Sequence, residues 1–436
     1  MPTTLVKNCS WIVTQNKKRD VLRDASILVR DGSIEVVGKG MGTSADVEVD
    51  GRGKIALPGL INAHTHLSMV LFRGYADDMV LQDWLQKKIW PLEVKLTPDA
   101  CYQGALLGSA EMIMSGTTTF MDMYMYMEDV AKAVDQAGLR AILSYGIVDL
   151  FDPAKAQVER KKSEALFSFI RELNSPRIRF ALAPHAPYTC SAENLLWAKE
   201  FAEKNDVLIH IHIAETRKEQ ADSQQQHGAR TVEYLHKIGA LSKRMVGAHC
   251  VWLTKTEVSL MAKSGVSVTH CPVSNMKLAS GGVAPLPEMF DAGIAVSLGT
   301  DGAASNNTLN MFETMKVCAL LHKAHRWDPT VLNAQKVLDL ATIEGARALG
   351  MEREIGSIEA GKKADIILLD ANQPNLNPIY GPETVVSDLV YSASSGNVDT
   401  TIVDGKVLME NRQLKSLDLA KTLASAQEIA NKFSRG

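Results

Sequence analysis

The amino-acid sequence predicts an α/β protein: a (β/α)8 TIM barrel with a small composite β-sandwich domain formed by both termini. Two observations predict this class. Eight short apolar runs alternate with amphipathic segments between residues 57 and 363, and strand-like alternation fills both ends of the chain. A third observation argues against an open dinucleotide-binding sheet, because nothing like GxGxxG follows the first apolar run.

The composition is that of an ordinary globular protein. The chain has 436 residues, 46% hydrophobic and 22% charged, with a net charge of −3. This balance gives no sign of nucleic-acid binding or of an anchor to a charged membrane. No signal peptide is visible, and no apolar run approaches the ~18–20 residues that span a bilayer. Six scattered cysteines without CxxC spacing predict reduced thiols in a cytoplasmic protein.

Both ends of the chain show the alternation of polar and apolar residues that is typical of β-strands. The stretch "ASILVRDGSIEVVGKG" reads as two strands around Asp31-Gly32, and "TTIVDGKVLMENR" folds back at Asp404-Gly405. We therefore predict that residues 1–56 and 364–436 form one composite β domain. Residues 57–363 would form the barrel.

The barrel strands are predicted from apolar, β-branched runs of the length expected when both faces of a sheet are buried. In chain order they are "ALPGLINAH", "TTTFMDM", "RAILSYGI", "IRFALAPHA", "VLIHIHIAE", "MVGAHCVWL", "VSVTHCP" and "IAVSLGTD". Amphipathic segments such as "DVAKAVDQAGL" and "SAENLLWAKEFAEKN" lie between them. Eight such units favour a closed barrel over a doubly wound sheet.

Polar side chains gather at the carboxyl ends of these strands, where barrel enzymes build their sites. The residues concerned are His64, His66, His185, His210, His212, Glu215, His249, His270 and Asp301. A pair of histidines spaced i, i+2 points to one face of a strand, so His64 and His66 would converge. Taken alone, this pair is equally consistent with one packed and one surface histidine.

The clustered residue types suit a metal centre. His64, His66 and His212 offer three imidazoles and Asp301 offers a carboxylate, a set that suits zinc or a neighbouring divalent ion. Glu215 lies three residues after His212 and is a candidate proton donor and acceptor. Its alternative is a glutamate that favours the positive end of a helix dipole.

The ordered motifs resemble the amidohydrolase superfamily. The resemblance rests on "PGLINAHTHL", "HIHIAE", "VGAHC", "VTHCPVSNMKL" and "LGTDGAASNN", and it extends to "GSIEAGKKADIILLD" after the barrel. Within the superfamily, Glu215 and "DWLQKKIWPLE" are similar to the 5-methylthioadenosine/S-adenosylhomocysteine deaminases. The resemblance covers essentially the whole chain.

The resemblance implies roles for the clustered residues. The metal ligands would be His64, His66, His212 and Asp301. Glu215 would protonate the purine N1, and His249 would polarise the nucleophile. Asp301 would carry a proton from the nucleophile to the departing amine. One divalent ion is implied, with Zn²⁺ favoured and Fe²⁺ or Mn²⁺ as alternatives.

The resemblance also implies contacts with the nucleoside. Glu93, in "WPLE", would accept hydrogen bonds from the ribose hydroxyls, and His185 would contact the nucleoside. Ser305 and Arg160 are weaker candidates, Ser305 for a hydrogen bond to substrate and Arg160 for the substrate tail. The alternative for Glu93 is a solvated helix residue.

Two further histidines are predicted to be structural. His210 is expected to face away from the barrel axis, opposite to His212. His270 is expected to be a packed histidine that bonds a backbone carbonyl.

The resulting hypothesis is metal-dependent hydrolytic deamination of adenine nucleosides. The substrates would be 5'-methylthioadenosine and S-adenosylhomocysteine, with 5'-deoxyadenosine and adenosine as further candidates, in a homodimer or homotetramer. The enzyme alternatives are a deaminase of guanine, cytosine or a related heterocycle, and a deaminase that prefers 5'-deoxyadenosine. The alternative from another class is a non-enzymatic scaffold, which loss of metal and of ammonia release would distinguish.

Overall fold

The computed structural model describes residues 3–41 and 44–435. The strands are β1 Thr4–Val13, β2 Val21–Arg30, β3 Ser33–Gly38, β4 Val47–Asp50, β5 Lys54–Pro58, β6 Leu60–Thr65, β7 Thr117–Tyr124, β8 Arg140–Ile147, β9 Ile178–Pro184, β10 Leu208–Ile213, β11 Met245–His249, β12 Ser267–His270, β13 Val296–Leu298, β14 Ile366–Asp370, β15 Val398–Val403, β16 Lys406–Glu410 and β17 Gln413–Leu414. The helices are α1 Leu81–Trp84, α2 Trp90–Glu93, α3 Pro98–Met114, α4 Met127–Ala137, α5 Pro153–Leu173, α6 Ala192–Asn205, α7 Arg217–His227, α8 Thr231–Lys237, α9 Lys255–Ser264, α10 Pro272–Lys277, α11 Leu286–Asp291, α12 Met311–Arg326, α13 Ala334–Leu340, α14 Ile343–Ala348, α15 Pro382–Tyr391 and α16 Leu419–Arg435. None of these helices is long and apolar enough to cross a membrane.

The strands β6 to β13 form the predicted barrel. They pair in parallel and in chain order, and a backbone bond of 3.0 Å from the Asp301 amide to the His64 carbonyl joins the two ends of the sheet. The predicted first strand is two strands in the structure, because the extended segment is interrupted at Gly59, between β5 and β6. Gly59 is required there, since a Cβ atom would lie 2.1 Å from Thr118 Oγ1.

Both ends of the chain build a second sheet, as predicted. Its order is β17-β16-β15-β14-β5-β1-β2-β3, with β4 beside β1. Two of its hairpins turn on the predicted pairs: φ is 48° and 77° at Asp31-Gly32, and 51° and 78° at Asp404-Gly405. Positive φ at both central residues is the conformation that matches the twist of the flanking strands.

A buried ion pair connects the barrel to the terminal sheet. Arg140, at the start of β8, donates two hydrogen bonds of 2.7 Å and 3.0 Å to Asp365, just before β14. The amide of Asp404 donates a further bond of 2.8 Å to the same carboxylate. The last helix, α16, packs on α3 of the barrel. The division of the chain at residue 364 stays a prediction.

Candidate active site

Three strand ends supply the centre of the candidate site. His64 lies on β6 and His66 directly follows that strand. Their Nε2 atoms approach the same oxygen, Asp301 Oδ1, at 3.5 Å and 3.3 Å. The ring of His212, on β10, has its centroid 4.9 Å from that of His64 and 5.5 Å from that of His66. The four residues proposed as metal ligands therefore face one point.

This donor set fits a divalent cation. His64 Nε2 is buried and has no hydrogen-bond partner among the described residues. A buried polar atom of this kind is rare unless a water or an ion is its partner. The ligand atoms of His64, His66 and Asp301 lie within 4.8 Å of one another, and so do those of His64, His212 and His249. Imidazoles with a carboxylate are the ligands that zinc and similar ions take.

The protonation states also suit metal binding. Burial lowers the pKa of His64 to about 4 and that of His212 well below its usual range. Both rings are therefore neutral at pH 7, with a lone pair for a cation. Burial alone would raise the pKa of Asp301, but the adjacent His64 and His66 rings outweigh it and hold that pKa well below its usual range. Asp301 is thus a carboxylate at neutral pH.

Backbone carbonyls orient two of the imidazoles. His66 Nδ1 lies 2.6 Å from the Met123 carbonyl, and His212 Nδ1 lies 2.7 Å from the His185 carbonyl. A carbonyl only accepts, so both Nδ1 atoms carry the proton. The Nε2 atoms of both rings face the site, which is how histidine ligands are commonly oriented. Burial alone would lower the pKa of His66, but the adjacent Asp301 outweighs it and raises that pKa to about 9, so a bound cation would displace a proton from this ring.

The two histidines expected to be structural differ in detail from the prediction. The expectation that His210 faces away from the barrel axis is wrong, because residues two apart in a strand share a face. His210 lies on the same side as His212, and its Nε2 is 2.7 Å from His64 Nδ1. His270 is packed, but its Nε2 pairs with His322 Nε2 and not with a backbone carbonyl.

Hydrogen bonds hold the Asp301 carboxylate. The hydroxyls of Ser274 and Ser305 donate to its Oδ2 at 2.6 Å and 3.0 Å, and the Gly302 amide donates to its Oδ1 at 2.7 Å. Ser305, predicted to contact substrate, therefore contacts Asp301. These bonds stabilise the charged carboxylate and fix its two oxygens.

His249 has a partner that the sequence did not indicate. Asn275 Nδ2 lies 3.0 Å from His249 Nδ1 and donates to it. The proton of this ring is then on Nε2, which lies 3.9 Å from Glu215 Oε2. His249 is thus oriented as a hydrogen-bond donor toward the site. The sequence feature that could have identified Asn275 is its position in the motif "VTHCPVSNMKL", four residues after Cys271.

Glu215 is buried, and burial raises its pKa, so the carboxyl keeps its proton closer to neutral pH than an exposed glutamate does. The backbone that presents it is held by Glu219. Both carboxylate oxygens of Glu219 accept backbone bonds of 2.8 Å, one from Ala214 and one from Glu215. Ala214 is in the left-handed region with φ of 53°. The sequence analysis did not single out Glu219.

The predicted nucleoside contacts surround the same cluster. Glu93 accepts a hydrogen bond of 2.9 Å from the Tyr124 hydroxyl, and burial raises the Glu93 pKa. The Tyr124 ring lies 6.2 Å from the His66 ring. His185 has its ring centroid 4.8 Å from that of His212. Tyr124 therefore connects Glu93 to the neighbourhood of His66, and His185 lies next to His212.

Arg160 is the exception among the predicted site residues. It lies on α5, donates to Asn194 Oδ1 and Glu193 Oε1, and stacks over Trp197. None of these partners belongs to the histidine cluster. Its role toward a substrate tail stays a prediction.

Comparison with known proteins identifies the family. The sequence model of the amidohydrolase family matches residues 55–408. The chain belongs to the amidohydrolase family. It is 48% identical over 410 residues to the 5'-deoxyadenosine deaminase of Methanothermobacter thermautotrophicus, covering 94% of this chain and 95% of that protein. It is 49% identical over 385 residues to the 5-methylthioadenosine/S-adenosylhomocysteine deaminase of Thermococcus sibiricus, covering 88% and 89%.

A solved structure agrees with this family. An adenosine deaminase from Xanthomonas campestris with bound zinc superposes with a TM-score of 0.94 at 35% identity, covering 99% of both chains. The predicted amidohydrolase resemblance and TIM-barrel fold are confirmed. Amidohydrolases of this family are metal-dependent, and the histidine cluster of this amidohydrolase fits a metal site.

Proposed function

We propose that this amidohydrolase deaminates adenine nucleosides by hydrolysis. Water replaces the exocyclic amine at C6, giving the inosyl product and ammonia. The observation that carries the proposal is the convergence of three imidazoles and Asp301 beside a buried, protonatable Glu215. Names of relatives 48% and 49% identical to the chain support the nucleoside class.

The reaction needs an acid at the ring. C6 of adenine is a weak electrophile until N1 is protonated, and Glu215 has a pKa raised by burial, so it can carry that proton near neutral pH. His249 presents its Nε2–H to the attacking oxygen. This donor stabilises negative charge that develops there.

The reaction also needs a proton for the leaving group, since the amine would otherwise have to depart as the amide anion, NH₂⁻, and not as ammonia. Asp301 is ionised and accepts a proton from the attacking water, then delivers it to the amine. His64, His66, His212 and Asp301 would hold a divalent ion, which would supply Lewis-acid activation of water at neutral pH. We propose Zn²⁺ for this position, with Fe²⁺ and Mn²⁺ as alternatives that the same donors accept.

Glu93 and His185 would select the nucleoside. Glu93 is half-buried and accepts a hydrogen bond from the Tyr124 hydroxyl. Its carboxylate would accept further hydrogen bonds from vicinal ribose hydroxyls. His185 is neutral, because burial lowers its pKa to about 4, and its ring can contact the nucleoside without a charge. Ser305 and Arg160 stay weaker candidates for substrate contacts. We further propose that the protein is cytoplasmic and forms a homodimer or homotetramer.

The 5' substituent of the substrate is proposed as hydrogen, methylthio or homocysteinyl. An ammonia-release panel tests the proposal with 5'-deoxyadenosine, 5'-methylthioadenosine, S-adenosylhomocysteine, adenosine, guanine and cytosine. We expect turnover of several 5'-variants and none of the free bases. Exclusive turnover of guanine or cytosine would contradict the nucleoside proposal, and a metal-free, inactive protein would support the scaffold alternative.

A matched variant tests the acid. Glu215→Gln keeps the size of the side chain but cannot donate a carboxyl proton. We expect kcat/KM to fall by about 100-fold or more. In the parent enzyme, kcat/KM should decline as pH rises through the raised Glu215 pKa, because the ionised carboxylate no longer protonates N1. This alkaline decline should be absent from the variant, and its persistence would assign it to another group.

A further inference from the structure

A second group of buried donor atoms lies on the outer side of the barrel. It consists of His270 at the end of β12, with Cys318 and His322 on α12. The exposed fractions of these residues are 1%, 0% and 0%. Their ligand atoms lie within 4.8 Å of one another.

The fold separates this group from the candidate active site. Thr269 reaches across the barrel, where its hydroxyl lies 3.3 Å from the Ala63 carbonyl on β6. Its neighbour His270 therefore points to the opposite side, toward the helices. Cys318 and His322 are four residues apart, so they lie on one face of α12, one turn from each other.

The distances within the group fit coordination of a common ion. His270 Nε2 and His322 Nε2 are 3.2 Å apart, and the rings are inclined by 68°. Two nitrogens at about 2.0–2.1 Å from one tetrahedral ion are separated by about 3.3 Å. The simpler alternative is a hydrogen bond in which one neutral imidazole donates its N–H to the other. Such a bond would not involve the thiol of Cys318.

The group has no other polar partner in the described part of the chain. His270 Nδ1 and His322 Nδ1 are buried without a hydrogen bond. Burial lowers the pKa of both rings, so each is neutral and has a lone pair at pH 7. Buried polar groups without partners are exceptions that an ion or a water commonly explains.

We propose that His270, Cys318 and His322 form a second cation site, which takes a thiophilic closed-shell ion, Cu⁺ or Zn²⁺. Two imidazoles and a thiolate are the soft and borderline donors that these ions prefer. The ion displaces the thiol proton to solvent. One thiolate leaves the site neutral with Cu⁺ and at +1 with Zn²⁺, so burial favours the monovalent ion. Bound there, the ion would tie α12 to β12.

Metal analysis of the intact protein tests this proposal, with metal content rather than activity as the readout. Because the three donors are buried, the ion has to enter during folding. The protein is therefore produced in copper-supplemented and zinc-supplemented cultures, and its metal content is measured per chain. We expect two equivalents of metal in at least one culture, with copper as the second ion where copper is supplied.

Four variants, one of them a control, locate the two ions. Cys318→Ser should lose one equivalent and keep the other, and it should melt at a lower temperature than the loaded parent. Asp301→Asn should lose the equivalent that Cys318→Ser keeps. Cys9→Ser, a buried thiol in the terminal sheet, should keep both and serves as the matched control. His322→Gln repeats the Cys318 test with an uncharged residue of related size.

The proposal is overturned if neither culture yields a second equivalent, or if the second equivalent survives both Cys318→Ser and His322→Gln. Retention of the first equivalent in these variants shows that they are folded. Because ammonia release is not measured, failure here leaves the proposed deamination untouched, and failure of the deamination assay leaves this site untouched.

Discussion

The sharpest test of the site concerns Glu219, which we propose acts by positioning Glu215. Its two carboxylate oxygens accept hydrogen bonds of 2.8 Å from the backbone amides of Ala214 and Glu215. In Glu219→Gln the amide group keeps one acceptor and turns an NH₂ toward the other donor, so one buried N–H loses its partner. That loss costs about 1–3 kcal/mol. Glu219→Ala removes both acceptors and should cost more.

The catalytic effect follows from the same bonds. A left-handed Ala214 followed by an unanchored Glu215 allows the carboxyl to leave the position from which it reaches N1. If the lost 1–3 kcal/mol appears in the transition state, kcat falls about 5- to 150-fold with little change in KM. Glu219 is therefore a positioning residue. Steady-state kinetics on 5'-deoxyadenosine measure the split between kcat and KM.

A pH-dependent stability is the second readout. Burial raises the pKa of Glu219 from 4.5 to about 7. The folded protein therefore holds this proton more tightly than the unfolded chain, and the parent loses stability as pH rises from 4.5 to 7. This loss is on the order of 3 kcal/mol for a shift of this size. It should be absent from Glu219→Gln, so urea unfolding should show the largest disadvantage of the variant near pH 5.

The matched control is Glu233→Gln, which changes a glutamate that accepts the Arg230 amide at the start of α8, outside the site. Its kcat should equal that of the parent. Two results would refute the positioning role: an unchanged kcat in both Glu219 variants, or the same pH dependence of unfolding in Glu219→Gln and the parent.

Three further predictions concern other contacts. Asp301→Asn removes a proposed metal ligand and proposed proton acceptor, so kcat/KM should fall about 1000-fold and metal content should fall with it; full metal content with full activity would contradict both roles. Asn275→Asp replaces a donor to His249 Nδ1 with an acceptor, which moves the ring proton away from Nε2. We expect kcat to fall about 100-fold, and an unchanged kcat would exclude His249 as a donor. Arg140→Met leaves the Asp365 carboxylate buried without its cation, so urea unfolding should show a loss of about 3–5 kcal/mol, and a loss below about 1 kcal/mol would show that the pair does not connect the domains.

The sequence predicted the centre of the site because that centre depends on little more than strand period and barrel topology. A spacing of two puts His64 and His66 on one face, and parallel strands deliver His212 and Asp301 to the same end of the barrel. The same rule contradicts the direction predicted for His210. His210 lies two residues before His212, so both side chains are on the same face of β10.

The surrounding contacts could not be predicted in the same way. Glu219 on α7 and Asn275 on α10 contact the site because each helix directly follows a strand-end turn, and the shape of these turns is not evident from the residue types. Ala214 and His249 both have positive φ, 53° and 69°, although neither is a glycine. Residues other than glycine seldom adopt such conformations, so no local sequence pattern predicts them. The split of the first predicted strand at Gly59 was missed for a related reason, since it depends on pairing with distant strands.

Left-handed backbone at the strand ends also bears on how the site works. Ala214, His249 and Asp301 adopt φ of 53°, 69° and 62° directly after β10, at the end of β11 and after β13. Each costs roughly 1–2 kcal/mol relative to a right-handed conformation. Strain of this kind persists only where the surroundings over-determine it, and it concentrates at functional sites. Here it is held by backbone bonds, such as those from Cys250 to the Ile213 carbonyl at 2.9 Å and from Asp301 to the His64 carbonyl at 3.0 Å. The turn at each strand end is therefore set by the barrel itself, so His249 and Asp301 face His64, His66 and His212 before any substrate arrives, and binding energy is not needed to orient them.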